Sequence, residues 1–287
     1  MVLIRSKFKH ATRNPRMVFG VLVTVSFVTL ALLAPWLAPT APDDMDIALR
    51  LTPPSAVDLG NLANLLGRDI NGGSVLTSML YGARTSLYIS FVTVLLSVTV
   101  GTSVGLLAGY RRGWIETALM RTVDLLMAFP GILLAMALSA LMGPSRHNVI
   151  LAIAATGWTS AARLIRGQTL SAREREYVTA SRALGASGWR LVLRHIFPAT
   201  LSPLLVHATF SLSGVIIVEA SLSFLGLGAQ DGAPSWGAIL GQGRTVLIEA
   251  PYLSIVPGVA IALLVLALNF VGDALRDLLD PKAQMQR

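Results

Sequence analysis

The sequence predicts an all-α polytopic membrane protein with six transmembrane helices. Only 13% of its 287 residues are charged and 54% are hydrophobic, whereas soluble domains carry about 25% charged residues. The charges are also segregated, leaving six long runs without Asp, Glu, Lys or Arg. A water-soluble fold of this size has too little interior for so much apolar surface, so a bilayer is its main solvent.

A membrane helix takes about 20 mostly apolar residues. Residues 1–16 form a basic cytoplasmic segment, and Met17 to Pro42 is the first charge-free run. A basic stretch before an apolar run also suits a cleaved signal peptide. This run exceeds the usual h-region of about 7–15 residues, and Pro35 interrupts the cleavage zone, so a retained anchor over 17–42 fits better. Residues 43–84, rich in Pro, Asp, Asn and Gly, make an extracytoplasmic loop too small for a separate enzymatic domain.

A core transmembrane domain follows over 85–275. Its charge-free runs are Thr85 to Tyr110, Leu125 to Ser145, His147 to Ala162, Ile196 to Val218 and Ala250 to Gly272. The fourth span is short, and Arg163 and Arg166 beyond it can bury their stems and snorkel to the interface. Pro130, within Ala128-Phe129-Pro130-Gly131, kinks the third span. Ser97, Gly101, Gly105 and Gly109 recur every four residues on the second, a small-xxx-small face that packs within this chain or against a second subunit. The outer loop Gly226 to Glu249 carries glycines, Pro234 and a Trp236 of the interfacial type. Residues 276–287 form a tail.

Lys and Arg are retained on the cytoplasmic side. With the N-terminus inside, 18 of the 23 basic residues fall there, and only Arg50, Arg68, Arg84, Arg146 and Arg244 stay outside. Both termini are therefore expected in the cytoplasm. The net charge of +8 follows this sidedness, and no nucleic-acid partner is expected. The chain has no cysteine, and its four histidines lack ligand spacing, so neither a metal site nor a thiol nucleophile is expected.

One cytoplasmic loop, 163–197, is built rather than merely charged. Glu174 to Leu184 holds good helix formers, with Tyr177, Ala180, Ser181 and Leu184 at helical spacing. Gly185 supplies a stop, and Ser187 suits the N-cap of a second short helix through Trp189, Val192, Leu193 and Ile196. Two short helices meeting at a glycine make a knob. Its small residues let a partner's groove close on it, while the surrounding arginines keep it out of the membrane.

Thr179-Ala180-Ser181, then Gly185, then Phe197-Pro198 resembles the Glu-Ala-Ala-x3-Gly motif of bacterial ABC-importer permease subunits, the coupling helix that docks into the ATPase. Thr179 stands at the acidic position and His195 where the motif often has Ile. Glu219-Ala220-Ser221-Leu222-Ser223-Phe224-Leu225-Gly226-Leu227-Gly228, Pro234-Ser235-Trp236-Gly237, the stretch Leu268 to Pro281, and Tyr81-Gly82-Ala83-Arg84 resemble the second permease subunit of dipeptide, oligopeptide and nickel importers. The outer segment departs from that family's Gly-Thr-Asp-x2-Gly-Arg-Asp, with Arg68 for Thr and Gly73-Ser74 for Arg-Asp.

The resemblance covers nearly the whole chain. It implies a type I ABC-importer permease fold with cytoplasmic coupling helices, in the bacterial cytoplasmic (inner) membrane. It makes Glu176, Tyr177, Thr179, Ala180, Ser181, Leu184 and Gly185 the ATPase-coupling residues. The implied partners are a homologous second permease subunit, two ATPase subunits that hold ATP and Mg, and an extracytoplasmic substrate-binding protein. The implied substrate is a short peptide, with nickel or a nickel chelate as the alternative. A peptide path should be wide and weakly polar, and Ser211, Ser213, Glu219 and Ser221 on the fifth span are candidates to line it. Glu219 also suits a partly hydrated residue capping the outer end of that span. A nickel path calls for coordinating spacing, whereas His207 and Glu219 lie roughly 18 Å apart along one helix.

Three rival readings lack their residues. A phosphate-cradling loop needs GxxxxGK[ST], but Gly241-Gln242-Gly243-Arg244-Thr245 has no Lys and Ala238 stands at the first glycine. ATP hydrolysis is thus expected from other subunits. Gly185-Ala186-Ser187-Gly188 matches a serine-protease signature by letter only, since Ser187 lies among Arg182, Arg190 and Arg194. A secondary transporter or channel typically carries ionisable groups near mid-membrane, whereas the six runs hold no Asp, Glu, Lys or Arg.

Overall fold

A computed structural model describes residues 14–55, 62–230 and 234–279. Most of the basic N-terminal segment and most of the tail, expected on the cytoplasmic side, lie outside the described residues. The regular structure among the described residues is helical, apart from an isolated bridge between Arg68 and Ser74. Five helices are long and apolar enough to cross a membrane, and counting one bent pair as a single span gives six.

The first helix, α1 (Pro15–Leu37), starts where Asn14 accepts a hydrogen bond from the Arg16 amide. The second, α2 (Val75–Arg111), begins ten residues before the charge-free run. Ser74 starts it there: its hydroxyl accepts from the Thr77 amide at 3.4 Å and donates to the Ala63 carbonyl at 2.8 Å. The outer segment before it is folded onto the bundle. Arg68, which replaces the family's Thr, is buried and donates to Asn64 Oδ1 at 2.7 Å and to the Gly72 carbonyl at 3.2 Å.

The third span is broken rather than kinked. It comprises α3 (Trp114–Met127) and α4 (Gly131–Met142), set at 85° to each other. Pro130 has no N–H to continue α3, and its fixed φ suits the residue that starts α4 instead. The fourth span, α5 (Arg146–Arg173), runs well past its charge-free stretch. Arg163 and Arg166 do not simply snorkel. Arg163 Nη2 lies 2.7 Å from Asp124 Oδ1 and Arg166 Nη2 lies 2.6 Å from Glu116 Oε1, so the acids of α3 take up the charge.

The α2–α5 pair is the spine of the fold, and the four-residue repeat makes it. Ser97, Gly101, Gly105 and Gly109 meet Gly157, Ala161, Ile165 and Thr169 in order. A β-carbon at Gly101 would lie 2.5 Å from the Trp158 carbonyl oxygen, and one at Gly105 2.7 Å from that of Ala162. Of the two uses open to this stripe, packing within the chain is the one adopted. The shared register also makes α2 and α5 parallel, so both end on the same side. The start of α1 lies there too, since Thr40, just past the end of α1, bonds Thr77 at the start of α2, their hydroxyls 3.0 Å apart.

After α5 come α6 (Glu176–Ala183) and α7 (Gly188–Leu191). A π-helical turn over Val192–Ile196 joins α7 directly to α8 (Phe197–Phe224), so the expected second short helix is the entry to the fifth span. This span ends in a Schellman cap, with Gly226 at φ +80° and the Leu227 amide bonded to the Leu222 carbonyl. Short α9 (Trp236–Gly243) then leads to α10 (Tyr252–Leu279). Trp236 is no interfacial residue. It is 1% exposed, donates from Nε1 to the Met79 carbonyl at 3.0 Å and meets Phe27 edge-on at 5.3 Å, filling the core between α1, α2 and α9.

Candidate functional site

Two regions carry the residues singled out from the sequence: the α6–α7 knob and the outward face of α8.

The knob is anchored from below. Val178, Leu191, Val192 and Ile196 are buried with Ala172 of α5, and Leu106 and Tyr110 from the end of α2 pack against them. Arg173 Nη1 donates to the carbonyls of Gly109 and Tyr110, and Arg112 pairs with Glu174 at 3.2 Å. The turn at its tip is another Schellman cap: Gly185 has φ +83°, its amide donates to Arg182, and the Ala186 amide donates to Ser181. Ser187 occupies the N-cap position before α7 but makes no side-chain capping bond. His195 closes the knob from behind, with Nε2 3.3 Å from Ser181 Oγ and its ring 6.3 Å from that of Tyr177.

Of the residues assigned to coupling, Glu176, Tyr177, Thr179, Ala180, Leu184 and Gly185 are exposed and Ser181 is half-buried. Leu184 is 89% exposed at the tip. Trp189 is 73% exposed beside it, although apolar spacing alone puts it on the inward face of its helix. An exposed Trp, Leu and Tyr on a compact, positively charged loop make an apolar surface of the kind that marks an interaction site.

The four residues proposed for a pathway divide into two pairs. Ser213 and Glu219 are buried. Ser213 Oγ donates to the Phe210 carbonyl at 2.8 Å and to Asn269 Oδ1 at 3.2 Å, holding α8 to α10. Glu219 is fully buried and accepts from Ser223 Oγ at 2.7 Å, so it is not a hydrated cap. Ser211 and Ser221 are half-buried on a different side of α8. Together with His207 and Gly214 they follow spacings of four, three and seven residues, which fall on one helical face. Ser221 opens into a concave pocket of about 670 Å³, walled by Ile132 and Met136 of α4, Phe224 of α8, and Ile261 and Val265 of α10.

His207 reads in the sequence as a lone histidine, and the structure gives it company. Its Nε2 lies 3.3 Å from Ser211 Oγ and 3.5 Å from Ser160 Oγ of α5, so three polar side chains converge inside the spans. A contact across 47 residues leaves no trace in sequence spacing.

The profile of the binding-protein-dependent transport system inner membrane components matches residues 101–285. The chain belongs to that family. A second profile, the N-terminal transmembrane domain of oligopeptide transport permease C, matches residues 5–54. The permease is 38% identical over 278 residues to the dipeptide transport system permease protein DppC of Alkalihalophilus pseudofirmus, covering 97% of this chain and 90% of the relative. It is 41% identical over 263 residues to the di/tripeptide transport system permease protein DppC of Pseudomonas aeruginosa, covering 92% and 87%. The glutathione transport system permease protein GsiD of Pectobacterium atrosepticum is 45% identical over 220 residues, covering 77% and 73%. Among solved structures, an inward-facing form of the MetNI methionine ABC transporter matches with a TM-score of 0.59 at 20% identity, over 70% of this chain and 96% of the other. The permease thus has the all-helical fold of type I ABC-importer permeases and is a multi-pass inner-membrane protein.

Proposed function

We propose that this permease is one of two homologous pore-forming subunits of an ATP-driven importer of short peptides. Two ATPase subunits would hold ATP and Mg, and an extracytoplasmic binding protein would deliver the peptide. The observation that carries this reading is the exposed apolar tip of the α6–α7 knob, in a chain whose relatives above are named as dipeptide, di/tripeptide and glutathione permeases. The end bearing the knob is the cytoplasmic one, because the basic residues crowd there.

Glu176, Tyr177, Thr179, Ala180, Ser181, Leu184 and Gly185, joined by Trp189, present the surface that an ATPase groove takes. When the ATPases close on ATP the knob moves with them. Its buried underside carries the ends of α2 and α5, and that pair packs too tightly to shear. The spans therefore move as bodies and the path alternates between outward and inward openings. Ser211 and Ser221 line the path, while Ser213 and Glu219 hold α8 in place. Nickel has less support, since the path side offers hydroxyls and one imidazole rather than a coordinating set.

The test is uptake by cells that lack their own peptide importers, supplied with this permease and its cognate partners. Labelled di- to oligopeptides should accumulate in an ATP-dependent manner. Exclusion of peptides together with ATP-dependent accumulation of nickel would overturn the reading.

A further inference from the structure

The convergence of His207, Ser211 and Ser160 has a cost that the fold alone does not explain. Ser160 is exposed on α5, and His207 and Ser211 are half-buried on α8. The imidazole sits ten residues into α8, about 15 Å from the knob end by the 1.5 Å rise per residue. At that depth, polar groups facing hydrocarbon are expensive, and those that persist face a bundle interior or a water-filled cavity. Gly214, one turn of helix away on the same face, has nothing within 4 Å of where a β-carbon would stand, which leaves room beside the cluster.

Each member of this cluster can both donate and accept a hydrogen bond, and none carries a permanent charge. A peptide amide also presents one donor and one acceptor, and it is the group that peptides of every sequence share. Binding by such a set is sequence-tolerant and weak enough to release the peptide, as conduction requires. We propose that His207, Ser160 and Ser211 form a mid-membrane station that hydrogen-bonds the main-chain amides of a passing peptide. The proposal rests on the peptide-import reading above.

The test uses the full complex in proteoliposomes, with binding protein and labelled dipeptide outside. His207→Leu keeps comparable bulk but removes both hydrogen-bonding nitrogens, and His207→Gln restores a donor and an acceptor. Uptake should fall at least tenfold in the Leu variant and stay within about threefold of wild type in the Gln variant. Subunit co-purification and basal ATP hydrolysis should be unchanged in both. A histidine that merely packs against lipid or the second permease would tolerate Leu, so wild-type uptake by His207→Leu overturns the station.

The chain has no cysteine, so Ser160→Cys gives it a single thiol. A water-soluble thiol reagent, which needs a hydrated thiolate, should label that thiol in at least one nucleotide state, and peptide-loaded binding protein should slow labelling during turnover. Failure to label in any state means lipid or a partner covers the site and overturns the proposal, whether or not His207→Leu assembles. The wild-type arm separates the two claims. No peptide uptake there sinks the importer reading and the station with it, whereas normal uptake with an unlabelled Ser160→Cys sinks the station alone.

Discussion

Gly105 and Gly167 lie on the same pair of packed helices and should respond in opposite ways to the same change. A β-carbon at Gly105 would stand 2.7 Å from the Ala162 carbonyl oxygen and 2.8 Å from Ile165 Cβ, while one at Gly167 would meet nothing within 4 Å. Overpacking costs about 1–3 kcal/mol, and removing a free glycine from a helix interior gains roughly 0.5–1 kcal/mol. Gly105→Ala should therefore lower the thermal midpoint of the detergent-solubilised complex, and Gly167→Ala should leave it unchanged or raise it. Equal midpoints for the two variants would show that the α2–α5 register is wrong. The period-four repeat makes this interface legible in the sequence, because small residues one turn apart have few other uses in a membrane helix. Its partner surface is less legible, since Gly157, Ala161, Ile165 and Thr169 do not form a uniformly small stripe.

At the scale of elements, the charge-free runs locate all six spans but not their ends. Ser74 and Ser145 set the true starts of α2 and α5 by side-chain capping, and the acids of α3 let α5 continue through Arg163 and Arg166. Pairing between residues about 40 to 50 positions apart is decided by the fold, so spacing alone offers only snorkelling. Pro130 signals a disturbance, yet its size, a break of 85°, depends on what packs on either side. Trp236 departs from its expected interfacial place for a related reason: residues 234–237 turn inward onto Met79 and Ser86, so a loop tryptophan becomes core. Sidedness can be measured element by element. Reporter fusions after residues 60, 170, 240 and 287 should read outside, inside, outside and inside, as the basic residues require. Outside labelling at 170 would remove the knob from the ATPase side and the coupling assignment with it.

Across the whole molecule, the knob and the proposed path are joined by one continuous body. The knob's buried underside reaches α2 and α5 through Leu106, Tyr110 and Ala172, and Ser160, halfway up α5, stands beside the outward face of α8. The proposed function takes its energy from partner subunits. Gly241 to Thr245, the nearest resemblance to a nucleotide loop, is helical and packed on Phe224 and Leu253 rather than opening between a strand and a helix. The isolated subunit should accordingly show no saturable ATP binding, and equilibrium dialysis with radiolabelled ATP is sufficient to check it.

The central claim is that the knob couples nucleotide hydrolysis to transport, and Gly185 is where it is most exposed to test. Its φ of +83° is strained for any β-branched residue, but a β-carbon there meets nothing within 4 Å. Gly185→Val should therefore distort the tip without disturbing the packed underside, whereas Gly185→Asn, which tolerates that conformation, should not. Peptide uptake and peptide-stimulated ATP hydrolysis, measured together on the same proteoliposomes, give the answer. The account predicts that both fall at least tenfold in the Val variant, with the complex still assembled and the Asn variant near wild type. Uptake at the wild-type rate in an assembled Gly185→Val complex would contradict it.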